Sequence, residues 1–444
     1  MRITKIKVQG LYRQHNYEIL FNEDQNIKII HAPNGYGKTT LLKLISDIIN
    51  CKLFEISIIP FEHFTIEFSE AVTIKVIKEN SINANNEEDP IIRYIISKGQ
   101  ETKEYKLASR ISYSTMLESK IPIQCIEKNL PFLKRVAQTT WYDTRQNERI
   151  SYDEVVAGYG ELLFIDEELR KTLNEIRDEM PVHFIYANRL MHSQEINETR
   201  ITSRRKNVTP AVLIYSKELV DIIGEILARS SKLTQELDRT FPARLIEEMA
   251  SQDIAEDIST QMINGELATL EKRRVNLQDI GLLSASSIKD LNEATKIDKQ
   301  TLKVLRLYIK DSKKKLDIFN EIETKVNLMR EIINKRFIYK TMKINKQGGF
   351  IFELPDKILL SPDKLSSGEQ NELILIFELL FKSQANSLIL IDEPEMSLHI
   401  SWQQHFLEDM QAISDVTDVK IIIATHSPDI INGRWDLTAG LEEC

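Results

Sequence analysis

The chain of 444 residues has few cysteines and no long apolar run, and both absences narrow what it can be. Cys51, Cys125 and Cys444 lie far apart and form no Cys-x-x-Cys pair, so neither a disulfide framework nor a cysteine zinc site is indicated. No window reaches the roughly 18 uninterrupted apolar residues that a membrane-spanning helix needs. The first residues contain no apolar core of the signal-peptide type, so we expect a cytoplasmic protein without a membrane segment.

Acidic residues outnumber basic ones, with 67 Asp and Glu against 58 Lys and Arg. The formal net charge is -9, which argues against avid non-specific DNA binding by the whole surface, because such binding requires Lys and Arg to neutralise phosphates. Basic runs occur at residues 204–206, 272–274 and 313–315. We expect these to be solvated faces of helices or loops rather than nucleic-acid contacts. With 42% apolar and 28% charged residues, the chain is an ordinary globular protein of one composite domain or two.

A phosphate-binding loop is predicted near the start of the chain. Residues 32–40 read Ala-Pro-Asn-Gly-Tyr-Gly-Lys-Thr-Thr, between a strand-like segment and an apolar helical pattern. Lys38 is expected to reach the β and γ phosphates of ATP, and Thr39 to place its hydroxyl on Mg²⁺. The usual pattern begins with glycine where this chain has Ala32, which requires a negative φ there. The candidate nucleotide-binding residues are Asn34, Gly35, Tyr36, Gly37, Lys38, Thr39 and Thr40.

Two buried strands near the other end of the chain finish in residues that fit phosphate chemistry. Residues 387–394 read Ser-Leu-Ile-Leu-Ile-Asp-Glu-Pro. Asp392 is predicted to hold the magnesium ion, and Glu393 to orient and deprotonate the attacking water. The strand at residues 419–424 is followed by His426, which is predicted to donate to the γ-phosphate and to sense its presence.

A fourth motif, Leu365-Ser366-Ser367-Gly368-Glu369-Gln370, precedes a further helical pattern. P-loop, this motif, acid pair and histidine, in this order, resemble the ABC-type ATPase family, whose signature reads Leu-Ser-Gly-Gly-Gln. The resemblance implies that the signature of one subunit closes on ATP held by the P-loop of another, with Ser366, Ser367 and Gly368 at the nucleotide. The capped start of a helix is an anion-binding end, and this one has no phosphate of its own.

The rest of the pattern predicts an α/β fold: an ABC-type P-loop ATPase head, a mixed sheet with flanking helices, and an inserted α-helical or coiled-coil domain. Alternating apolar residues predict antiparallel strands in the first 110 residues, with a polar hairpin tip or loop at 79–90. Residues 182–187 read as a further buried strand, after which Arg189 is a candidate for the active face, with a surface salt bridge as the alternative. The predicted division is 1–195 for the N-terminal lobe, 196–335 for the insert and 336–444 for the C-terminal lobe.

The insert is predicted from apolar residues at spacings of three or four. One stripe consists of Leu305, Ile309, Ser312, Leu316, Phe319, Ile322, Val326, Met329 and Ile333. An earlier stripe runs from Leu219 to Leu237, and we expect residues 238–242 to interrupt it. After the insert, strand patterns at 337–344 and 350–354 flank Gly348 and Gly349 as a hairpin.

Residues 392–403 resemble the Asp-Glu-Pro-Glu-x-x-Leu-His-Pro-x-x-Gln stretch of the overcoming-lysogenization-defect (OLD) and RecF-like branch, with Ile400 in place of proline. OLD nucleases continue into a Toprim nuclease domain, whereas only 18 residues follow His426 here. This layout is similar to the ATPase subunits of the two-component anti-phage systems PARIS and Septu, whose nuclease is a separate Toprim or HNH polypeptide. A Rad50-type protein is disfavoured, because its zinc hook needs paired cysteines.

Two functions follow from the resemblance. The first is a regulatory ATPase whose paired heads scaffold a separate effector nuclease and release or activate it on a phage-derived trigger. The second is a RecF-like or SMC-like clamp that grips DNA in repair or recombination. A nuclease activity of the chain itself is disfavoured, because the sequence has no second carboxylate cluster at metal spacing.

Overall fold

The structure is a computed structural model of the chain. It describes residues 1–22, 24–82, 88–107, 123, 126, 127, 130, 133–137, 139–143, 148–152, 155, 167–185, 210–250, 260–283 and 298–441. The chain divides into two compact units, Met1–Lys206 with Lys382–Cys444, and Asn207–Phe381.

The strands, in chain order, are β1 (Ile3–Leu11), β2 (His15–Leu20), β3 (Ile27–His31), β4 (His63–Phe68), β5 (Val72–Ile82), β6 (Glu88–Lys98), β7 (Glu101–Leu107), β8 (Leu133–Ala137), β9 (Thr140–Asp143), β10 (Glu148–Ser151), β11 (Val182–Ile185), β12 (Thr341–Asn345), β13 (Gly349–Glu353), β14 (Leu359–Leu360), β15 (Leu388–Asp392), β16 (Lys420–Thr425) and β17 (Thr438–Gly440). The α-helices are α1 (Lys38–Asn50), α2 (Leu53–Ile58), α3 (Glu167–Glu179), α4 (Ala211–Ala250), α5 (Thr260–Asp279), α6 (Lys299–Asp317), α7 (Asn320–Arg336), α8 (Ser367–Phe377), α9 (Ile400–Gln403), α10 (Phe406–Thr417) and α11 (Pro428–Ile431).

An antiparallel sheet forms much of the first unit, in the order β2-β1-β4-β5-β6-β7. Alternate residues of its strands are buried, among them Ile6, Val8 and Ile66, because one face of the sheet packs on the core. The predicted antiparallel strands at the start of the chain are therefore present. β5 and β6 pair as far as Ile82 and Glu88, so residues 79–82 and 88–90 of the predicted tip or loop at 79–90 are strand instead, and residues 83–87 lie outside the described part.

A five-stranded parallel sheet, in the order β11-β15-β16-β3-β17, positions the candidate site. Its central strands are apolar and buried along their length, as expected for a parallel sheet covered on both faces. Asp392 pairs with Ala424, and Thr425 pairs with His31, so β3, β15 and β16 end at one edge. The predicted strand after residue 181 is β11. Arg189 and the basic run 204–206 lie outside the described residues.

The second unit is mainly helical. The two predicted apolar stripes lie on α4 and on α6 with α7, and most of their residues are buried, including Leu219, Ile223, Val326 and Met329. No helix among the described residues is long and apolar enough to cross a membrane. The helical region confirms the α-helical insertion in an α/β fold.

The expected interruption at residues 238–242 is wrong, because α4 continues through Pro242. Proline removes one backbone hydrogen bond from a helix and usually kinks or ends it. Here the preceding turn is held by side chains. The Thr240 hydroxyl donates to the carbonyl of Glu236 at 2.9 Å, and Arg244 Nη2 donates to the carbonyl of Leu237 at 2.8 Å.

The β12–β13 hairpin groups with the helices of the second unit, as does the signature motif. Ser216 of α4 binds the hairpin turn, because its hydroxyl donates to the carbonyl of Gly348 and accepts from the N–H of Phe350, both at 2.9 Å. Gly349 has φ 70° and its Cβ position is filled by Ser216, so no larger residue fits there. This compact unit extends to residue 381, whereas the predicted insert ends at 335.

Candidate nucleotide site

The loop between β3 and α1 has the backbone that the P-loop motif predicts. Gly35 and Gly37 have φ values of 92° and 78°, which favour glycine, whereas Ala32 is not among the residues with positive φ. Gly37 is the N-cap of α1 and no side chain caps that helix. The first N–H groups of α1 therefore have no side-chain acceptor, which suits an incoming phosphate.

Lys38 is only 4% exposed, and its ammonium is held by the loop itself. Nζ donates to the carbonyls of Ala32 at 2.7 Å and Pro33 at 3.1 Å. A buried cation needs such partners, because an unpaired charge in the interior is costly. The positive charge is thus fixed inside the loop that would surround the phosphates.

Two tyrosines that the sequence patterns did not single out brace the P-loop. Tyr12, at the end of β1, places its hydroxyl 2.8 Å from Oγ1 of Thr40, and the Tyr17 hydroxyl donates to the carbonyl of Tyr36 at 3.0 Å. Tyr12 directly follows β1 and Tyr17 lies within β2, and neither position carries a local signal for these contacts, which join residues 28 and 19 positions apart. They link the antiparallel sheet to the candidate phosphate site.

The P-loop and the acid pair meet although they are 353 residues apart in the chain: the Thr39 hydroxyl donates to Oδ1 of Asp392 at 3.0 Å. The pKa of Asp392 is raised to about 6, chiefly by burial and also by the nearby carboxylates of Glu393 and Glu395, against the opposing effects of Thr39 and Lys38. This crowding of negative charge is what a cation would relieve.

Glu393 follows β15 in a left-handed backbone conformation, with φ 41° and ψ 59°. A non-glycine residue there is strained, and such strain persists only where the surroundings enforce it. Its N–H donates to the carbonyl of Ala424 at 2.9 Å, which fixes the turn. The side chain remains 22% exposed and its Oε1 lies 3.8 Å from Nδ1 of His426.

His426 follows β16, and its side chain is 43% exposed. Its Nδ1 lies 3.1 Å from Oε1 of Glu395, whose side chain is 7% exposed. Glu395 lies in the segment 392–403, but no pattern in the sequence predicts a role for its side chain. The structure thus brings together the seven candidate P-loop residues, Asp392, Glu393 and His426 at one edge of the parallel sheet.

The signature residues belong to the other compact unit. Ser366 is the N-cap of α8 and forms a capping box with Glu369: Oε2 of Glu369 accepts from both the N–H and the hydroxyl of Ser366 at 2.9 Å. Lys340 donates to both carboxylate oxygens of Glu369, at 2.6 and 2.7 Å. Burial would raise the pKa of Glu369, but Lys340 and Ser366 outweigh it and the pKa is lowered.

The donor set near Thr39 and Asp392 fits magnesium rather than a protein-only metal cage. Among the described residues, no group of three or more His, Cys, Asp or Glu side chains could hold a metal ion. Mg²⁺ commonly binds through one or two protein oxygens together with substrate phosphates and water. The adjacent hydroxyl and carboxylate supply those oxygens.

The site has three features of a P-loop ATPase. They are the buried Lys38 in a glycine loop, the Thr39 hydroxyl bound to Asp392, and the neighbouring side chains of Glu393 and His426. The chain belongs to the AAA ATPase domain family, whose pattern matches residues 1–431. It is an ATP-hydrolysing enzyme, so the predicted ATPase activity is confirmed. No curated protein matches the chain.

Two similar solved structures are SMC heads. One is the Pyrococcus furiosus Smc head domain with an extended coiled coil bound to the C-terminal domain of ScpA, with 12% identity, coverage of 99% of this chain and 93% of that chain, and a TM-score of 0.36. The other is the SMC head domain from Thermotoga maritima, with 10% identity, coverage of 99% and 94%, and a TM-score of 0.33. Backbones with TM-scores of this size do not superpose closely, so these likenesses do not define a function.

Proposed function

We propose that ATP is bound and hydrolysed at the edge of the parallel sheet where β3, β15 and β16 end. Lys38 contacts the β and γ phosphates, Glu393 orients and deprotonates the attacking water, and His426 donates to the γ-phosphate. The observation that carries this proposal is the contact between the Thr39 hydroxyl and Asp392, because it joins the phosphate loop to the acid pair. Thr39 and Asp392 would hold Mg²⁺, which supplies positive charge at the phosphates.

We further propose that two copies pair around ATP, with Ser366, Ser367 and Gly368 of one copy closing on the P-loop of the other. Ser366 and Ser367 are exposed at the start of α8, where backbone N–H groups favour an anion. Within its own chain the Ser366 hydroxyl binds Glu369. A phosphate would therefore exchange with, or add to, a contact that already orients this serine.

Pairing is tested by mixing two variants that are each inactive alone, Ser366→Arg and Lys38→Ala. A mixed pair contains one intact composite site and one doubly defective site. Random pairing makes about half of the dimers mixed, so about a quarter of the wild-type hydrolysis rate is expected if sites act independently. No recovery in a sample shown by cross-linking to contain mixed pairs that bind ATP would contradict independent composite sites.

The biological role that we propose is regulatory: the paired heads of a cytoplasmic anti-phage system control a separate Toprim-type or HNH-type nuclease, which the helical unit scaffolds until a phage-derived trigger acts. Two observations support it. The described residues contain no acid, histidine or cysteine cluster for a nuclease metal. The helical unit lies between the P-loop and the acid pair in the chain, so it is covalently joined to the ATPase at both ends.

The alternative is a DNA clamp of the RecF or SMC kind, and the basic runs bear on it. Within the helical unit Arg273 pairs with Asp317 at 2.9 Å, and Lys313 pairs with Glu266 at 2.8 Å. Lys315 pairs with Asp238 at 2.8 Å. Cations already matched by acids are less available for phosphates, which favours the regulatory role.

Co-purification discriminates between the two roles. The Glu393→Gln variant, expected to hold paired heads, is expressed together with the products of the neighbouring genes and isolated with ATP, and any co-purified protein is assayed for nuclease activity. We expect the nuclease to co-purify in stoichiometric amount, and Lys38→Ala to retain less of it if assembly needs ATP. Absence of the nuclease together with tight, salt-sensitive binding of duplex DNA would favour the clamp instead.

A further inference from the structure

The turn after β15 and the turn after β16 are joined by two buried side chains, Glu395 and Gln403. Both lie in the segment 392–403 that carries the OLD-like and RecF-like resemblance, and the proposed chemistry gives neither a role. Oε1 of Glu395 accepts from the Thr425 hydroxyl at 2.7 Å and from the His426 N–H at 3.0 Å. The same oxygen lies 3.1 Å from Nδ1 of the histidine ring.

Gln403 holds the next residue of the same turn. Its Oε1 accepts from the Ser427 hydroxyl at 2.8 Å, and its Nε2 donates to the carbonyl of Leu398 at 3.2 Å. Gln403 is 8% exposed, so these bonds are shielded from water. Three consecutive residues, 425 to 427, are thus bound by side chains of the segment 395–403, which follows Glu393 in the chain.

The contact with Glu395 also sets the hydrogen position on the ring. An ionised carboxylate only accepts hydrogen bonds, so the Nδ1 that faces it carries the hydrogen. Nε2 is then the ring nitrogen left for the nucleotide, and it donates to the γ-phosphate when both ring nitrogens carry hydrogen. A carboxylate behind a histidine in this way fixes the ring orientation and supports the doubly protonated ring.

Glu395 is not arranged as a purely stabilising bridge. All of its described contacts fall on Oε1, while Oε2 is buried without a hydrogen-bond partner among the described residues. A buried acceptor without a donor costs free energy. A side chain kept in place at a cost to stability is typical of functional sites.

We propose that Glu395 and Gln403 are positioning residues for ATP hydrolysis: together they clamp the His426 turn to the Glu393 turn, and Glu395 fixes the ring of His426. The clamp presents the histidine and the proposed base as one rigid unit. This inference rests on the proposed role of His426 in hydrolysis.

The test is a double-mutant cycle measured as steady-state ATPase activity of the full chain, with Glu395→Gln, His426→Ala and the double variant. Glutamine keeps the size of the side chain but removes the negative charge that supports the ring when both of its nitrogens carry hydrogen. We expect Glu395→Gln to lower kcat by about 10- to 100-fold. The KM for ATP stays within about twofold of wild type, because the change acts on the reacting geometry rather than on binding.

In the His426→Ala background we expect Glu395→Gln to cost no further activity. Gln403→Met removes the side-chain hydrogen bonds of Gln403 to Ser427, to the carbonyl of Leu398 and to the carbonyl of Glu395, but it leaves the ring contact. It is expected to lower kcat less than Glu395→Gln, and again only when His426 is present. The matched control is Glu408→Gln, because Glu408 also faces a histidine, Nδ1 of His405 at 3.3 Å, but both are exposed. This control is expected to leave kcat unchanged.

Two outcomes overturn the inference in distinguishable ways. Equal losses from Glu395→Gln with and without His426 would mean that Glu395 does not act through the ring, and only the clamp fails. An unchanged kcat in His426→Ala would remove the proposed role of the histidine, and the clamp with it. Melting temperatures of all variants identify any that do not fold, in which case Gln403→Met decides alone.

Discussion

Two regions take part in the proposed reaction: the acid–histidine edge, with Asp392, Glu393, Glu395 and His426, and the signature turn, residues 366–369. They differ in how the negative charges of their carboxylates are compensated. At the edge, Asp392, Glu393 and Glu395 lie close together, and burial with like charge raises the pKa of Asp392 to about 6. At the signature turn Lys340 binds both oxygens of Glu369, whose pKa is lowered.

The backbone is strained at the acid–histidine edge and relaxed at the signature turn. Glu393 has a positive φ of 41°, whereas the signature helix begins with a complete capping box. The edge therefore combines a strained backbone at Glu393 with a crowding of negative charge that a cation would relieve, and the signature turn is shaped in advance by its own chain. We therefore expect substitutions at the acid–histidine edge to change mainly ATP hydrolysis and binding, and substitutions at the signature turn to change mainly the free energy of unfolding.

The largest expected effect is on hydrolysis by Glu393→Gln. Loss of the proposed base should lower kcat by about 10²- to 10⁴-fold, while ATP remains bound, because Glu393 acts on water rather than on phosphate. Single-turnover hydrolysis and nucleotide binding are measured on the same preparation. Hydrolysis at the wild-type rate would mean that this strained carboxylate is not the base.

Lys38→Ala should affect binding instead. Removing a buried ammonium that faces the phosphates should weaken ATP by about 10- to 100-fold, the effect of losing a charged hydrogen bond. Titration with a fluorescent ATP analogue measures this. Lys43→Ala is the control, since Lys43 lies on the same helix but pairs with Glu55. Equal affinities of the two variants would contradict the P-loop assignment.

The signature turn is tested by Lys340→Met. Glu369 would lose the cation that binds both of its oxygens, and we expect the free energy of unfolding to fall by about 1–2 kcal/mol in urea denaturation. Lys335→Met is the matched control, because that lysine is 70% exposed in an ordinary helical pair with Glu331. If both variants are equally stable, the signature turn is not fixed by Lys340.

The sequence alone predicts the parts of these two regions that have a local pattern. Asp392 and Glu393 end an apolar run, and Ser366 with Glu369 has the spacing of a capping box. The sequence does not predict which side chains these residues contact. Glu395 binds Thr425 thirty positions away, and Lys340 binds Glu369 twenty-nine positions away, separations that no helical or strand period encodes.

The continuation of α4 through Pro242 was missed for a related reason. Pro242 is a residue type that usually breaks helices, so the sequence predicts an interruption there. The compensation comes from the side chains of Thr240 and Arg244, and Arg244 is itself held by Asp311 of α6, 67 residues away. A local rule was overridden by a tertiary contact.

The one expected effect of opposite sign is a gain in stability from Asp392→Asn. The pKa of Asp392 in the folded chain is raised, so the folded state binds more protons than the unfolded state between about pH 4 and 6. The contribution of this carboxyl to stability is therefore largest below pH 4 and is lost as the pH rises through 6. At pH 7 the ionised group costs on the order of 2 kcal/mol. Asparagine removes that cost and can still accept from Thr39.

Urea denaturation of the nucleotide-free protein in a chelating buffer, at pH 4.5 and pH 7, measures this gain. We expect Asp392→Asn to be more stable than wild type at pH 7, with a smaller difference at pH 4.5, although it should not hydrolyse ATP. The control is Asp363→Asn, because the Ser361 hydroxyl lowers the pKa of Asp363 and Lys364 adds to this, so its loss brings no gain. If Asp392→Asn is less stable at pH 7, the Thr39 contact outweighs the crowding of carboxylates. The acid–histidine edge would then be as well satisfied as the signature turn, and the contrast between the two regions would be wrong.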